Sequence, residues 1–308
     1  MLRGRLHHQA PLTPRAWLLF ALCSVIWGLP YLFIKIAVDS GLGPGFVAWA
    51  RVALGAALLV PFAARRGALR GLRGHIGPIV AYTATEIAIP FVLIAAGEQH
   101  VSSSLAAILV ATMPLQLAVL ALWFSPADRP TGLRIVGLVL GLGGVVALLG
   151  IDVGGRPHEL FGAALVLGAT LCYATAPLII SRYLTDLDPL GPVAASLILA
   201  TIALLPAAIG GWPHAMPSGA ALIALAVLGV VCTVLGLVIF FQLIAEAGAS
   251  RASIITYVNP VVAVIVGVLA LHEHVGVTSL LGLLLILGGS WLAAGATVDS
   301  GSLHSSPQ

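Results

Sequence analysis

Gly137 to Gly144 reads GLVLGLGG, and Gly282 to Gly289 reads GLLLILGG, the same glycine-spaced stretch 145 positions later. Upstream, Ser104, Ala106, Ile108 and Pro114 recur as Ser250, Ala252, Ile254 and Pro260 at a shift of 146. Between the halves, Pro61-Phe62-Ala63 recurs as Pro206-Ala207-Ala208. A shift that stays so nearly constant across several apolar stretches marks a duplicated module rather than Leu-Gly bias. In an apolar chain, duplication points to a carrier built from two repeats around a central site.

Composition supports that frame. Hydrophobic residues make up 60% of the chain, charged residues 8%, and the mean hydropathy is +1.10. A soluble domain carries about 25% charged residues, so this chain uses lipid as its solvent. Glycine (35 residues) falls inside the apolar stretches, where it lets helix backbones approach closely. The net charge of +3 does not indicate nucleic acid, because the basic residues sit in short connections between apolar runs. Cys23, Cys172 and Cys232 all lie within apolar segments. An odd, widely spaced set is neither a disulfide framework nor a zinc pattern, and they read as small packing residues.

The hydropathy predicts an all-α polytopic membrane protein with ten transmembrane helices, at about 16–38, 45–63, 76–96, 101–124, 132–151, 159–181, 190–211, 218–245, 251–271 and 277–296. Each is long enough for a ~30 Å hydrocarbon core, which takes about 20 residues. Residues 1–15 read as a basic cytoplasmic segment and 297–308 as a disordered cytoplasmic tail. The apolar run after Arg15 is too long for a cleaved signal and is taken as the first retained helix. With the N-terminus inside, the inner segments hold 11 of the 14 Arg and Lys residues, among them Arg65, Arg66, Arg70, Arg73, Arg129 and Arg182. The outer loops hold only Arg156. That bias places both termini in the cytoplasm of a cell inner (plasma) membrane. Five helices per repeat, in 16–151 and 159–296, make the halves two inverted five-helix repeats about an axis in the membrane plane.

Local patterns then converge on a family. Trp27-Gly28 lies in the first helix and Tyr173-Ala174 in the sixth; Ser104-x-Ala106 precedes Pro114, and Ser250-Arg251-Ala252-Ser253 precedes Asn259-Pro260. Glu273 stands before the last helix, whose Gly282 and Gly288-Gly289 close the pattern. This resembles the drug/metabolite transporter superfamily, in its ten-helix group with two EamA domains, over roughly residues 16 to 296. The resemblance implies a membrane carrier with a central cavity. Its cargo would be small metabolites such as amino acids, their analogues or similar organic solutes, moved as an exporter by alternating access. One departure stands out: the position matching Glu273 in the first repeat is Asp128, a shorter acid.

Glu86 is the leading site residue. It sits about ten residues into the third helix, hence about 15 Å deep. An acid at mid-bilayer costs at least about 2.5–3.5 kcal/mol, so it avoids lipid. Its counterpart in the second repeat is Gly236. It would bind a substrate amine or take up a proton; the alternative is a protonated acid bonded to a neighbouring helix. Arg51, whose repeat partner is Ser196, offers a planar fork for a carboxylate or snorkels to the interface. Lys35, at the end of the first helix, reads as a snorkelling residue. Glu86 with Arg51 would suit a zwitterion. Pro114 and Pro260 sit at matched mid-helix positions, each freeing the carbonyl four residues earlier, at Val110 and Thr256. They would supply the helix breaks that gate such a carrier. Tyr257, Asn259 and Gln116, whose repeat partners are Ala111, Met113 and Val262, would line the cavity or bond helix to helix. Trp27, Tyr82 and Tyr173 would give it aromatic walls, with Tyr82 one turn from Glu86.

His272-Glu273-His274 is no metal site, since residues two apart do not share a helix face, and it reads as a loop and helix entry. The glycine stretches fit neither phosphate-binding spacing. No cofactor or metal is expected. The partners are a small-molecule substrate and the lipid bilayer, with no nucleic acid; proton coupling stays open, as does monomer against homodimer. Two other classes remain, an integral membrane enzyme and a non-transporting structural or signalling membrane protein. The chain carries no HExxH and no GxSxG, which weighs against an enzyme.

Overall fold

The computed structural model describes residues 13–124, 132–152 and 156–295. Among these the regular structure is entirely helical. Seven helices are long and apolar enough to cross a membrane: α1 (Pro14–Asp39), α2 (Pro44–Arg65), α3 (Leu72–Gly97), α4 (Ser103–Leu120), α5 (Leu133–Gly150), α6 (Pro157–Tyr183) and α8 (Gly219–Ala247). The apolar helices α7 (Leu190–Ala203), α9 (Ile255–Leu271) and α10 (Val277–Ala293) are shorter. Asp128, residues 1–12 and residues 296–308 fall outside the described residues.

The helices start where the sequence supplies a cap. The Thr13 hydroxyl accepts from the Ala16 N–H, Ser102 from Leu105 and Ser218 from Ala221, as helix N-caps do. Proline opens α1, α2 and α6, where its missing N–H is no loss. The outward surface is apolar: Val139, Val146, Ile202, Ile223, Leu269 and Leu284 are all more than 60% exposed. Water does not sustain a continuous belt of that kind, and lipid does.

The interior is built by small residues at crossings. A Cβ on Gly289 would fall 2.5 Å from the Gly137 carbonyl oxygen, and one on Gly144 would fall 3.1 Å from that of Gly282. The two copies of the duplicated stretch therefore pack on each other, as the α5–α10 seam. The other pairings follow the duplication. α2 packs on α7 and α4 on α9; α3–α6 has its counterpart in α8–α1, α2–α8 in α7–α3, and α1–α9 in α6–α4.

The bends differ from the sequence expectation in two places. α1, expected as one continuous helix, is interrupted at Leu29, because Pro30 begins a new helical turn there. The matched prolines also act differently. Before Pro114 the helix opens at Ala111–Thr112 and restarts at Met113. Pro260 lies inside α9, and the opening in that half comes earlier, at Ser253–Ile254. Beside each proline, a side chain bonds the carbonyl one residue before the freed one. The Thr112 hydroxyl donates to the Leu109 carbonyl at 2.6 Å, and the Asn259 amide, turned toward them, donates to the carbonyls of Ile255 and Ser24 at 3.0 and 3.2 Å.

Two further irregularities fall in corresponding helices of the halves. α3 widens into a π-helical turn over Thr83–Ala88, and α8 does so over Val227–Leu235. Turns of this type cluster at functional sites.

Candidate functional site

A cavity of about 270 Å³ lies among α1–α4 and α6–α9. α5 and α10 contribute nothing to its lining. Of the residues singled out from the sequence, Trp27, Arg51, Tyr82, Glu86, Tyr173 and Asn259 line it. Val110 and Thr256, whose carbonyls the prolines free, line it as well.

Each side of the cavity has its own construction. α3 presents Glu86 from the π-helical turn and Tyr82 from the turn before it. Among the described residues Glu86 has neither an ionic nor a hydrogen-bond partner; the ion pairs there are Lys35–Asp39, His75–Asp186 and Arg156–Glu159. α2 presents Arg51, whose Nε donates to the Thr233 hydroxyl at 3.0 Å. The guanidinium carbon lies 4.0 Å from the centre of the Phe91 ring, a cation–π contact. Thr233 in turn donates to the Leu228 carbonyl at 2.9 Å, within the π-helical turn of α8. The arginine is thus held by its Nε edge and one ring face, while no described residue ties up its terminal nitrogens. Arg51 and Glu86 share one cavity without pairing to each other.

Trp27 closes a third side. Its indole N–H donates to the Cys232 carbonyl at 3.2 Å, and its ring lies 4.7 Å from that of Phe240. Gly236 makes room for it: a Cβ there would sit 2.5 Å from the indole nitrogen. The bare Gly236 thus leaves a space in α8 that an aromatic ring from α1 fills.

Two expected cavity residues lie elsewhere. The Gln116 amide donates to the Thr112 hydroxyl and to the Leu167 carbonyl of α6, at 3.2 and 3.4 Å. The Tyr257 hydroxyl reaches the Ser290 carbonyl of α10 at 3.4 Å. Both make helix-to-helix bonds, and neither lines the cavity. Pro114 and Pro260 are not lining residues either; they shape the backbone beside it. The sequence reading passed over Tyr31, Phe91 and Thr233. Tyr31 was detectable, one helical turn from Trp27. Phe91 and Thr233 gain their importance only from Arg51, which the chain brings to them from a different helix.

A second, more polar cavity of about 510 Å³ lies at one end of the bundle, where Lys35, His100, Arg156, Glu159, Glu273 and His274 meet. Lys35 donates to the main-chain carbonyl of Glu98 at 2.8 Å and pairs with Asp39 at 3.1 Å, rather than reaching outward.

With this geometry in view, the comparisons with known proteins agree with one another. The EamA-like transporter family matches residues 15–150 and, a second time, residues 160–295. The uncharacterized inner membrane transporter YedA of Escherichia coli K12 is 29% identical over 83% of this chain and 82% of its own length. The uncharacterized transporter YvbV of Bacillus subtilis is 26% identical over 91% of each chain. A solved crystal structure shares the fold with a TM-score of 0.63 at 18% identity, covering 91% of this chain and 97% of its own.

Proposed function

The chain belongs to the EamA-like transporter family, and on that premise we propose that it is a secondary transporter of small zwitterionic solutes, amino acids and their analogues, working by alternating access in a cell inner membrane. The observation that carries this reading is an acid, Glu86, and a base, Arg51, that share one membrane-deep cavity without an ionic partner. Burying a charge without a partner costs several kcal/mol. A ligand with an ammonium and a carboxylate supplies both missing partners, the carboxylate to the free edge of Arg51 and the ammonium to Glu86. Tyr31, Tyr82, Tyr173 and Trp27 give the body of such a solute aromatic faces to pack on.

The mirrored helix pairings and the paired π-helical turns support two inverted repeats and ten crossings, and the Arg and Lys bias supports cytoplasmic termini. In that arrangement the two halves exchange conformations around a fixed site, and export is the direction we assign. An enzymatic role has less support, since the relatives carry transporter names.

The test is solute flux in proteoliposomes across a panel of amino acids, amines and carboxylates. The reading requires a zwitterion to move, and both Glu86→Gln and Arg51→Gln to abolish its flux while protein levels hold. Flux of an amine or carboxylate alone, unaffected by one of the two substitutions, overturns the zwitterion assignment.

A further inference from the structure

Glu98 stands in the connection that leaves α3, and its side chain is 0% exposed. Neither carboxyl oxygen has a hydrogen-bond partner. Its surroundings are charged. From α1, Lys35 donates to its main-chain carbonyl rather than its carboxyl, and Asp39 pairs with that lysine. Tyr31 also faces it from α1. From the connection before α10 comes Glu273, and two residues further along its own connection lies His100, stacked on His158.

Glu273 is the opposite case, an acid with its acceptors filled. Its Oε1 accepts from the Ser103 N–H at 2.7 Å, and its Oε2 accepts from the Ser104 N–H at 2.9 Å and from the Ser104 hydroxyl. A residue of the second half thus caps the start of α4 in the first half, 170 positions away. Gly267 makes the cradle: a Cβ there would fall 2.7 Å from both Glu273 Oε2 and the Ser104 oxygen. The Ser103 hydroxyl beside them is buried without a partner. Glu98 is fully buried with neither oxygen bonded, whereas Glu273 is half-buried and has its acceptors filled. The orphaned carboxyl therefore carries a proton.

We propose that Glu98 is a proton-binding site that controls the Glu273 tie between the two halves: with a proton on Glu98 the carboxylate of Glu273 stays on Ser103 and Ser104, and loss of that proton releases it. The proton leaves as a hydrated ion through the polar cavity, and no bond other than the O–H is broken. Ionised Glu98 repels Glu273 and attracts Lys35, so the cap on α4 weakens and the ends of α4 and α9 are free to separate. The physiological meaning rests on the transporter reading, since such separation is one half of an alternating-access cycle; the chemistry of the tie does not.

Infrared titration of the protein in lipid bilayers tests the proton site with no solute present. The expected signal is a protonated-carboxyl band that bleaches with rising pH and is missing in Glu98→Gln. Glu273→Gln, by removing a like charge, moves its midpoint down by about one pH unit or more, and Lys35→Met moves it up. Amide hydrogen exchange at Ser103 and Ser104, corrected for intrinsic base catalysis, tests the tie. Exchange rises with pH in the wild type, is flat in Glu98→Gln, and is fast at every pH in Gly267→Ala, which retains the Glu98 band. A titrating band unchanged in Glu98→Gln overturns the site. Exchange in Glu98→Gln that still rises as in the wild type overturns the control. Neither readout requires transport, so failure of the solute assay leaves both interpretable.

Discussion

The α5–α10 pair and the α3–α8 pair descend from the same duplication and treat it in opposite ways. In α5 and α10 both copies keep their glycines, because each copy is the other's packing surface: Gly137 faces Gly289, and Gly144 faces Gly282. A side chain at Gly137 or Gly289 would strike the backbone of the other copy. In α3 and α8 the backbone irregularity recurs, but the side chains diverge. The first half places Glu86 on the cavity; the second places Thr233 there and leaves Gly236 bare for Trp27. Symmetry is kept where the halves support each other and is lost where they hold something that has no symmetry itself.

That contrast gives predictions of decreasing size. The largest is at the cavity: Glu86→Gln and Arg51→Gln each abolish zwitterion flux with little change in thermal stability. If instead both unfold the protein, the α3 side is structural and the contrast collapses. Next is the seam. Gly289→Val drives a branched side chain into the Gly137 carbonyl and destabilises by about 1–3 kcal/mol or more, the usual range for overpacking. Thermal unfolding in detergent measures this, and the solute preference of whatever protein survives stays unchanged. A shift in preference would show that the seam does more than pack. Thr233→Val is smaller. It removes the bond that holds Arg51 and, at about 1.5–3 kcal/mol for a hydrogen bond to a charged group, weakens solute affinity about tenfold or more while sparing stability.

The smallest effect is a pH dependence. Burial, with Glu273 and Asp39 adding to it and Lys35 opposing, holds the Glu98 carboxyl well above the ordinary carboxylate range. The folded state therefore binds more protons than the unfolded chain over that window, and stability falls as pH rises through it. Glu98→Gln escapes this loss, so its melting temperature exceeds that of the wild type by a margin that grows from acidic to alkaline pH. A margin that is constant with pH would show that the carboxyl does not titrate there.

Much of this was legible in the sequence, and its limits have physical causes. Helix positions followed from apolar run length, because a ~30 Å core sets a length that few other constraints share. Glu86 and Arg51 were legible because a charge inside an apolar run is costly enough to need a reason. For Gln116 and Tyr257 the sequence left two readings, lining the cavity or bonding helix to helix. A neutral polar group, however, can turn its donor to a neighbouring helix, and both do so. The break at Pro30 was missed because proline at the first turn of a new helix leaves hydropathy untouched.

The sequence by itself determined a duplicated, lipid-embedded helical protein with charges that require a protein interior. The reason is that periodicity, run length and the cost of charge in hydrocarbon all act locally along the chain. The tertiary structure alone decided that the two glycine stretches meet each other, that Thr233 and Phe91 hold Arg51, and that Glu273 caps a helix 170 positions away beside a carboxyl with no partner. These are contacts between distant segments. Which of them form depends on how close the backbones come, and in this chain small residues set that distance at each crossing.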